Sequence, residues 1–252
     1  RRSSDLMAAV SPTPAASRWP DLALGLVLAC AAGLCSPAAA EPPSLPATAA
    51  GPSGFVPAGW QIAQQADADL NRDGRPDAVL LLQPDAPPAA PGSGRSPERV
   101  LAVLLQQGQG WALLAHNTRL VPQVDLATQE DPLVNGELAI TRNGFSLSLG
   151  LTSTAGSYLS ALQTWRFRLE RRCVRLIGLD TLQTHRATQD TQDTSINFLT
   201  GAVLVRSGNA QTDGTTQRRS RLAHNPRRCL PDLVSAADFQ PWPAPPPGTP
   251  SR

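Results

Sequence analysis

The chain has 252 residues, 41% of them hydrophobic, and a formal net charge of +2. It is long enough to bury a sizeable core and too weakly charged overall to mark a nucleic-acid protein. All 22 basic residues are Arg and 25 residues are Pro, a bias that reads as GC-rich coding without functional content; one core, and so one domain, is the simpler expectation.

Residues 1–40 have the form of a signal peptide. Arg18 precedes an apolar run from Leu22 to Leu34, and Ala38-Ala39-Ala40 supplies a small-residue cleavage site before Glu41. Met7, the only methionine, is read as the translation start. The run is shorter than the roughly 20 residues that span a bilayer as a helix, so no transmembrane segment is expected in the mature chain. The alternative is a lipoprotein signal, with lipidation at Cys30. On either reading the protein is expected to be exported, periplasmic or secreted. Cleavage after Ala40 would also remove Cys30 and Cys35, leaving Cys173 and Cys229 for one disulfide in an oxidising compartment, or as two buried thiols.

Residues 41–58 are rich in Pro, Ala, Gly and Ser, and read as a flexible tether. A β-rich domain is expected over 59–239, followed by a Pro-rich disordered tail over 240–252 that samples polyproline II. Within the domain the first strand is expected over 59–64. An acidic loop, 69–77, leads into the aliphatic strand 78–83, and a surface loop over 85–96 precedes strands at 100–106 and 111–116. Residues 137–140 and 145–151 flank Asn143-Gly144, the signal of a hairpin with a type I′ turn; Phe145, Leu147, Leu149 and Leu151 alternate with small residues as a half-buried strand requires. Trp165, Phe167 and Leu169 alternate with Arg166, Arg168 and Glu170 in the same way. Later strands are expected over 174–182, 195–205 and 215–222. Residues 100–105 and 233–237 also fit a short helix. The series predicts a mostly β, single-domain fold, an antiparallel sandwich or open barrel.

The acidic loop carries the chemistry. From Asp69, oxygen-bearing side chains stand at positions 1, 3, 5 and 9, namely Asp69, Asn71, Asp73 and Asp77, with Gly74 at the sharp turn and the Arg75 carbonyl at position 7. A hard cation such as Ca²⁺ wants such a set of six or more close oxygens. Position 12 is Leu80, where an EF-hand needs a bidentate Glu. The alternative is a solvated turn built on Asn71, Asp73 and Gly74.

The stretch DLNRDGRPDAVLLL resembles the DxNxDGxxD loop and following strand of the FG-GAP and VCBS repeat families. In those families the loop binds calcium between two strands of a propeller blade. The resemblance implies side-chain ligands at Asp69, Asn71, Asp73 and Asp77 and a carbonyl ligand at Arg75. The loop occurs once, and a propeller needs four or more blades, so a propeller is not expected. TWRFRLERRCVRLIGLD and TSINFLTGAVL are similar to segments of exported bacterial proteins that carry one such loop before a β-rich region; that resemblance implies no activity.

Charge is unevenly spread. Residues 41–137 hold 11 acidic and 5 basic side chains, whereas residues from 138 onward hold 7 acidic and 14 basic ones. The arginines from Arg166 to Arg175 and from Arg218 to Arg228 could meet an anionic polymer or envelope component, or simply face water beside core aromatics. No aromatics interleave with them on an outward face, which argues against nucleic acid. His116, His185 and His224 show no metal spacing and there is no GxSxG elbow. A hydrolase site assembled in space around His116, or around His185 with Asp190 and Asp193, is the enzymatic alternative to an exported calcium-binding structural or binding protein. Asn197 would close a polar network, contact the loop or face water.

Overall fold

The computed structural model describes residues 43–86 and 92–241. The signal-like segment 1–40 and all but the first two residues of the predicted tail lie outside the described residues. The strands are β1 (Thr48–Ala49), β2 (Trp60–Ala68), β3 (Asp77–Pro84), β4 (Val100–Gln107), β5 (Gly110–Asn117), β6 (Glu137–Thr141), β7 (Gly144–Thr152), β8 (Leu159–Glu170), β9 (Cys173–His185), β10 (Asp190–Asn197), β11 (Ala202–Asn209) and β12 (Thr215–Arg221). They form two antiparallel sheets, a five-stranded one in the order β1-β5-β4-β3-β2 and a seven-stranded meander from β6 to β12. The fold is therefore a mostly β sandwich, one of the two antiparallel architectures that the alternating pattern predicted.

Alternation explains how the sheets pack. Successive side chains of a strand point to opposite faces. On β3 and β4, Val79, Leu81, Leu101 and Val103 join Phe145, Leu147, Trp165, Phe167 and Leu176 of the larger sheet in one buried cluster. The intervening Ala78, Leu80, Leu82, Val100, Ala102 and Leu104 form a second cluster on the other face. Burial on both faces is why β3 and β4 read as unbroken aliphatic runs. It also makes 100–105 a strand, although the run alone fits a helix.

The second cluster corrects the reading of 41–58 as a tether. Within it, β1 pairs with β5, residues Pro52–Phe55 form a 3-10 turn, and Phe55 is completely buried. Leu45, Ala49, Phe55 and Val56 pack over the apolar outer face of β3 and β4, a partner that a composition-based reading does not supply. Approach is close: a Cβ on Gly54 would lie 2.7 Å from the Ala49 Cβ.

Three local readings also change. The expected strand 195–205 is two strands: β10 ends at Asn197, whose Oδ1 accepts the N–H groups of Leu199 (2.9 Å) and Thr200 (3.1 Å), and Gly201 takes φ +74° to complete the turn. Asn197 thus ends a strand. The β6–β7 hairpin pairs Thr141 with Gly144, so its two central residues are Arg142 and Asn143. Neither has positive φ, so the turn is not type I′. Residues 233–237 are irregular, with a 3-10 turn just upstream at Leu230–Asp232.

Two side chains join the pieces. The register of β2 shifts between Ile62 and Gln64. Gln64 then donates to the Gly136 carbonyl (3.2 Å) and accepts from the Leu138 N–H (2.7 Å), standing in for a strand where β2 meets β6. Asn117, 4% exposed, donates to the carbonyls of Leu230 (2.7 Å) and Leu233 (2.9 Å) and accepts from the N–H groups of Arg119 (2.8 Å) and Leu120 (2.6 Å). It fastens the carboxy-terminal strap, whose Cys229 is disulfide-bonded to Cys173 and whose Phe239 packs edge-on against Trp165. Among the described residues no helix is long and apolar enough to cross a membrane.

Candidate metal centre

The acidic loop connects β2 to β3, and its curl is built from the residues singled out by their spacing. Asp69 accepts from the N–H groups of Asp73 (3.0 Å) and Gly74 (2.9 Å), one to each carboxylate oxygen. Asn71 Oδ1 also accepts from Asp73 N–H (2.9 Å), Asp73 Oδ1 accepts from Arg75 N–H (2.9 Å), and Asn71 donates its amide to Asp73 Oδ2 (3.0 Å). Closing such a ring requires left-handed backbone. Gly74 has φ +84° and Arg72 φ +66°, the latter a conformation uncommon for a side chain of that size.

Asp77 sits differently from the others. Asp69, Asn71, Asp73 and Arg75 are exposed, but Asp77 at the start of β3 is fully buried. Its Oδ2 accepts from Leu70 (2.9 Å) and Asn71 (3.2 Å), and its Oδ1 accepts from Gln106 N–H on β4 (3.0 Å). Burial pushes its carboxyl above the usual carboxylate range; the three N–H donors pull it back, and the Asp73 charge adds to the rise. A carboxylate offers about four acceptor positions, and these bonds fill three of them. Asp77 therefore braces the loop from beneath.

The donor set has the chemistry of a hard-cation site: carboxylate, amide and carbonyl oxygens, without nitrogen or sulfur. Asp69, Asn71 and Asp73 each keep oxygen lone pairs beyond the N–H bonds they accept. The residues thus fit Ca²⁺ as ligands in kind, with Asp77 able to offer one remaining position. Among the described residues no three His, Cys, Asp or Glu side chains converge as a metal cluster.

The histidines stand apart from one another. His116 is exposed near the end of β5, and His224 is exposed beyond β12. His185 ends β9; its Nδ1 meets Thr188 Oγ1 at 2.9 Å, and that hydroxyl donates to Asp190 (2.6 Å). Thr188 lies in the β9–β10 connection, between the last residue of β9 and Asp190, the first of β10, and Asp193 is engaged by Arg206 (3.0 Å). The Asp binds the Thr, not the His, so the group braces a turn and lacks the His–Asp bond that orients a triad base.

Several arginines are tied up in ion pairs. Glu170 is shared by Arg168, Arg175 (2.9 Å) and Arg227 (3.9 Å), Arg166 pairs with Asp180, and Arg99 with Asp131 (2.9 Å). The hydrogen bonds from Arg168 and then Arg175 hold the Glu170 carboxyl below its ordinary value. Arg228 lies over the rings of Phe198 (5.0 Å) and Phe239 (5.6 Å). Spacing and composition did not mark Asn117 or Gln64; each is a lone amide next to residues that drew attention for other reasons. No protein-family model matches the chain, and no curated protein and no solved structure matches it.

Proposed function

We propose that this is an exported calcium-binding protein with a structural or binding role, and that the β2–β3 loop holds the ion. The reading rests on one observation: the loop closes around the Asp69 carboxylate through the N–H groups of Asp73 and Gly74, leaving the oxygens of Asp69, Asn71 and Asp73 and the Arg75 carbonyl to offer a cation, with Asp77 beneath. The signal-like sequence motivates export, and the Cys173–Cys229 disulfide is compatible with it. Calcium would relieve the repulsion among the loop carboxylates and cross-brace β2 to β3.

Thermal melts in calcium and in EDTA test this. At a free calcium concentration about 100-fold above Kd the melting temperature should rise by about 5 to 10 °C. Asp73→Asn should remove the rise while leaving the EDTA melt nearly unchanged. Identical melts for the unmodified protein in calcium and EDTA, together with no terbium luminescence sensitised by Trp111, which pairs with Gln106 beside Asp77, would sink the proposal.

A further inference from the structure

A cavity of about 520 Å³ lies between the acidic loop, the β6–β7 turn and the β8–β9 turn. Four arginines line it: Arg72 from the loop, Arg142 from the β6–β7 turn, Arg168 from β8 and Arg171 from the β8–β9 turn. Arg168 is engaged by Glu170, and Arg72 donates to Asn143 across the cavity (3.5 Å). No carboxylate lies within ion-pair distance of Arg72, Arg142 or Arg171 among the described residues. The one carboxylate in the lining, Asp69, has both oxygens turned to loop N–H groups.

The construction of this cavity is specific. Arg171 takes φ +59° at the first central position of a two-residue turn, where glycine is the easy residue. Of the three non-glycine residues with positive φ among those described, Arg72 and Arg171 both line this cavity. Gly144 brings the β6–β7 turn against β8 so closely that a Cβ there would lie 2.0 Å from the Phe167 carbonyl oxygen. Three separate turns thus contribute arginines to the lining of one concave space.

We infer that this cavity binds a phosphate group carried by a small polar molecule. Guanidinium forks match phosphate oxygens, and forks arriving from three segments suit a tetrahedral oxyanion better than a planar carboxylate. The volume lies in the range of small-molecule sites and exceeds what phosphate alone fills, leaving room for a group the size of a sugar. The site goes beyond the calcium reading and does not require it.

Calorimetric titration in EDTA keeps the two readings separate. The probes are glucose 6-phosphate, inorganic phosphate and glucose. Binding of glucose 6-phosphate in preference to phosphate, with none of glucose, is the expected result; equal binding of the two phosphates would reassign the site to the free oxyanion and overturn the small-molecule part. Arg171→Gly, which suits the backbone, and Arg142→Ala should each weaken binding about tenfold. Arg218→Ala on β12 should leave it unchanged. Absence of binding by either phosphate at a few millimolar, or equal weakening by Arg218→Ala, overturns the proposal.

Discussion

Asn117 and Asp77 are both buried side chains that satisfy backbone groups from distant parts of the chain, yet they behave oppositely. Asn117 is neutral and saturated, with two donors and two acceptor bonds used, and it joins β5 to the carboxy-terminal strap. Asp77 carries a charge, uses three acceptor positions and joins the loop to β4. The first can only hold; the second can also respond, because its charge is costly to bury and welcomes a proton or a cation. A buried amide makes a fixed joint, whereas a buried carboxylate makes one that solution conditions can adjust.

The largest effect should come from breaking the fixed joint. Asn117→Ala strands two carbonyls and two N–H groups, and should cost about 3 to 5 kcal/mol in urea denaturation, with the same cost at pH 5 and pH 7. The disulfide keeps the strap tethered, so the variant remains measurable under oxidising conditions. A loss that changes with pH would erase the contrast with Asp77.

Asp77→Asn should cost about 2 kcal/mol at neutral pH, since the amide turns an N–H toward donors it cannot accept from, partly offset by removal of the buried charge. The pH dependence is the sharper test. The folded pKa of Asp77 lies above the unfolded value, so the folded chain takes up the proton first. Its contribution therefore improves as pH falls through the folded pKa and levels off below about 4, the unfolded value. Asp77→Asn should lose that acid gain, and an unchanged pH profile would count against the brace carrying charge.

The smallest effect is expected at Glu170, where the sign reverses. Its folded pKa is depressed by Arg168 and Arg175, so its stabilisation is present above the unfolded value of about 4.5 and is lost as pH falls through the folded value. Glu170→Gln should cost about 1 kcal/mol at pH 7, with the difference vanishing in acid. Denaturation curves at pH 7 and pH 3 would show it.

How much of this was legible in the sequence depends on whether the signal was local. The aliphatic runs of β3 and β4, the alternation in β7 and β8 and the ring of oxygens around Asp69 are local patterns, and they predicted the sandwich and pointed to the loop. The cover supplied by Leu45, Ala49 and Phe55 is not local: its apolar residues are sparse, and only the opposing sheet face makes them matter. The break between β10 and β11 was overridden by apolar alternation, although Asn197 with Gly201 four residues on is itself a turn signal. The gathering of Arg72, Arg142, Arg168 and Arg171 required the two sheets to be brought together, which spacing along the chain does not encode.

The Gln64 splice has a consequence for how copies of this protein meet. Its amide takes up the Gly136 carbonyl and the Leu138 N–H, so another chain cannot pair with those two groups where β6 begins. Of the remaining margins, β1 is only two residues long, while β12 is fully exposed and presents Arg218, Arg219 and Arg221. Two such strands approaching each other would set like charges side by side, so this exposed edge strand carries its own deterrent against fibrous self-assembly.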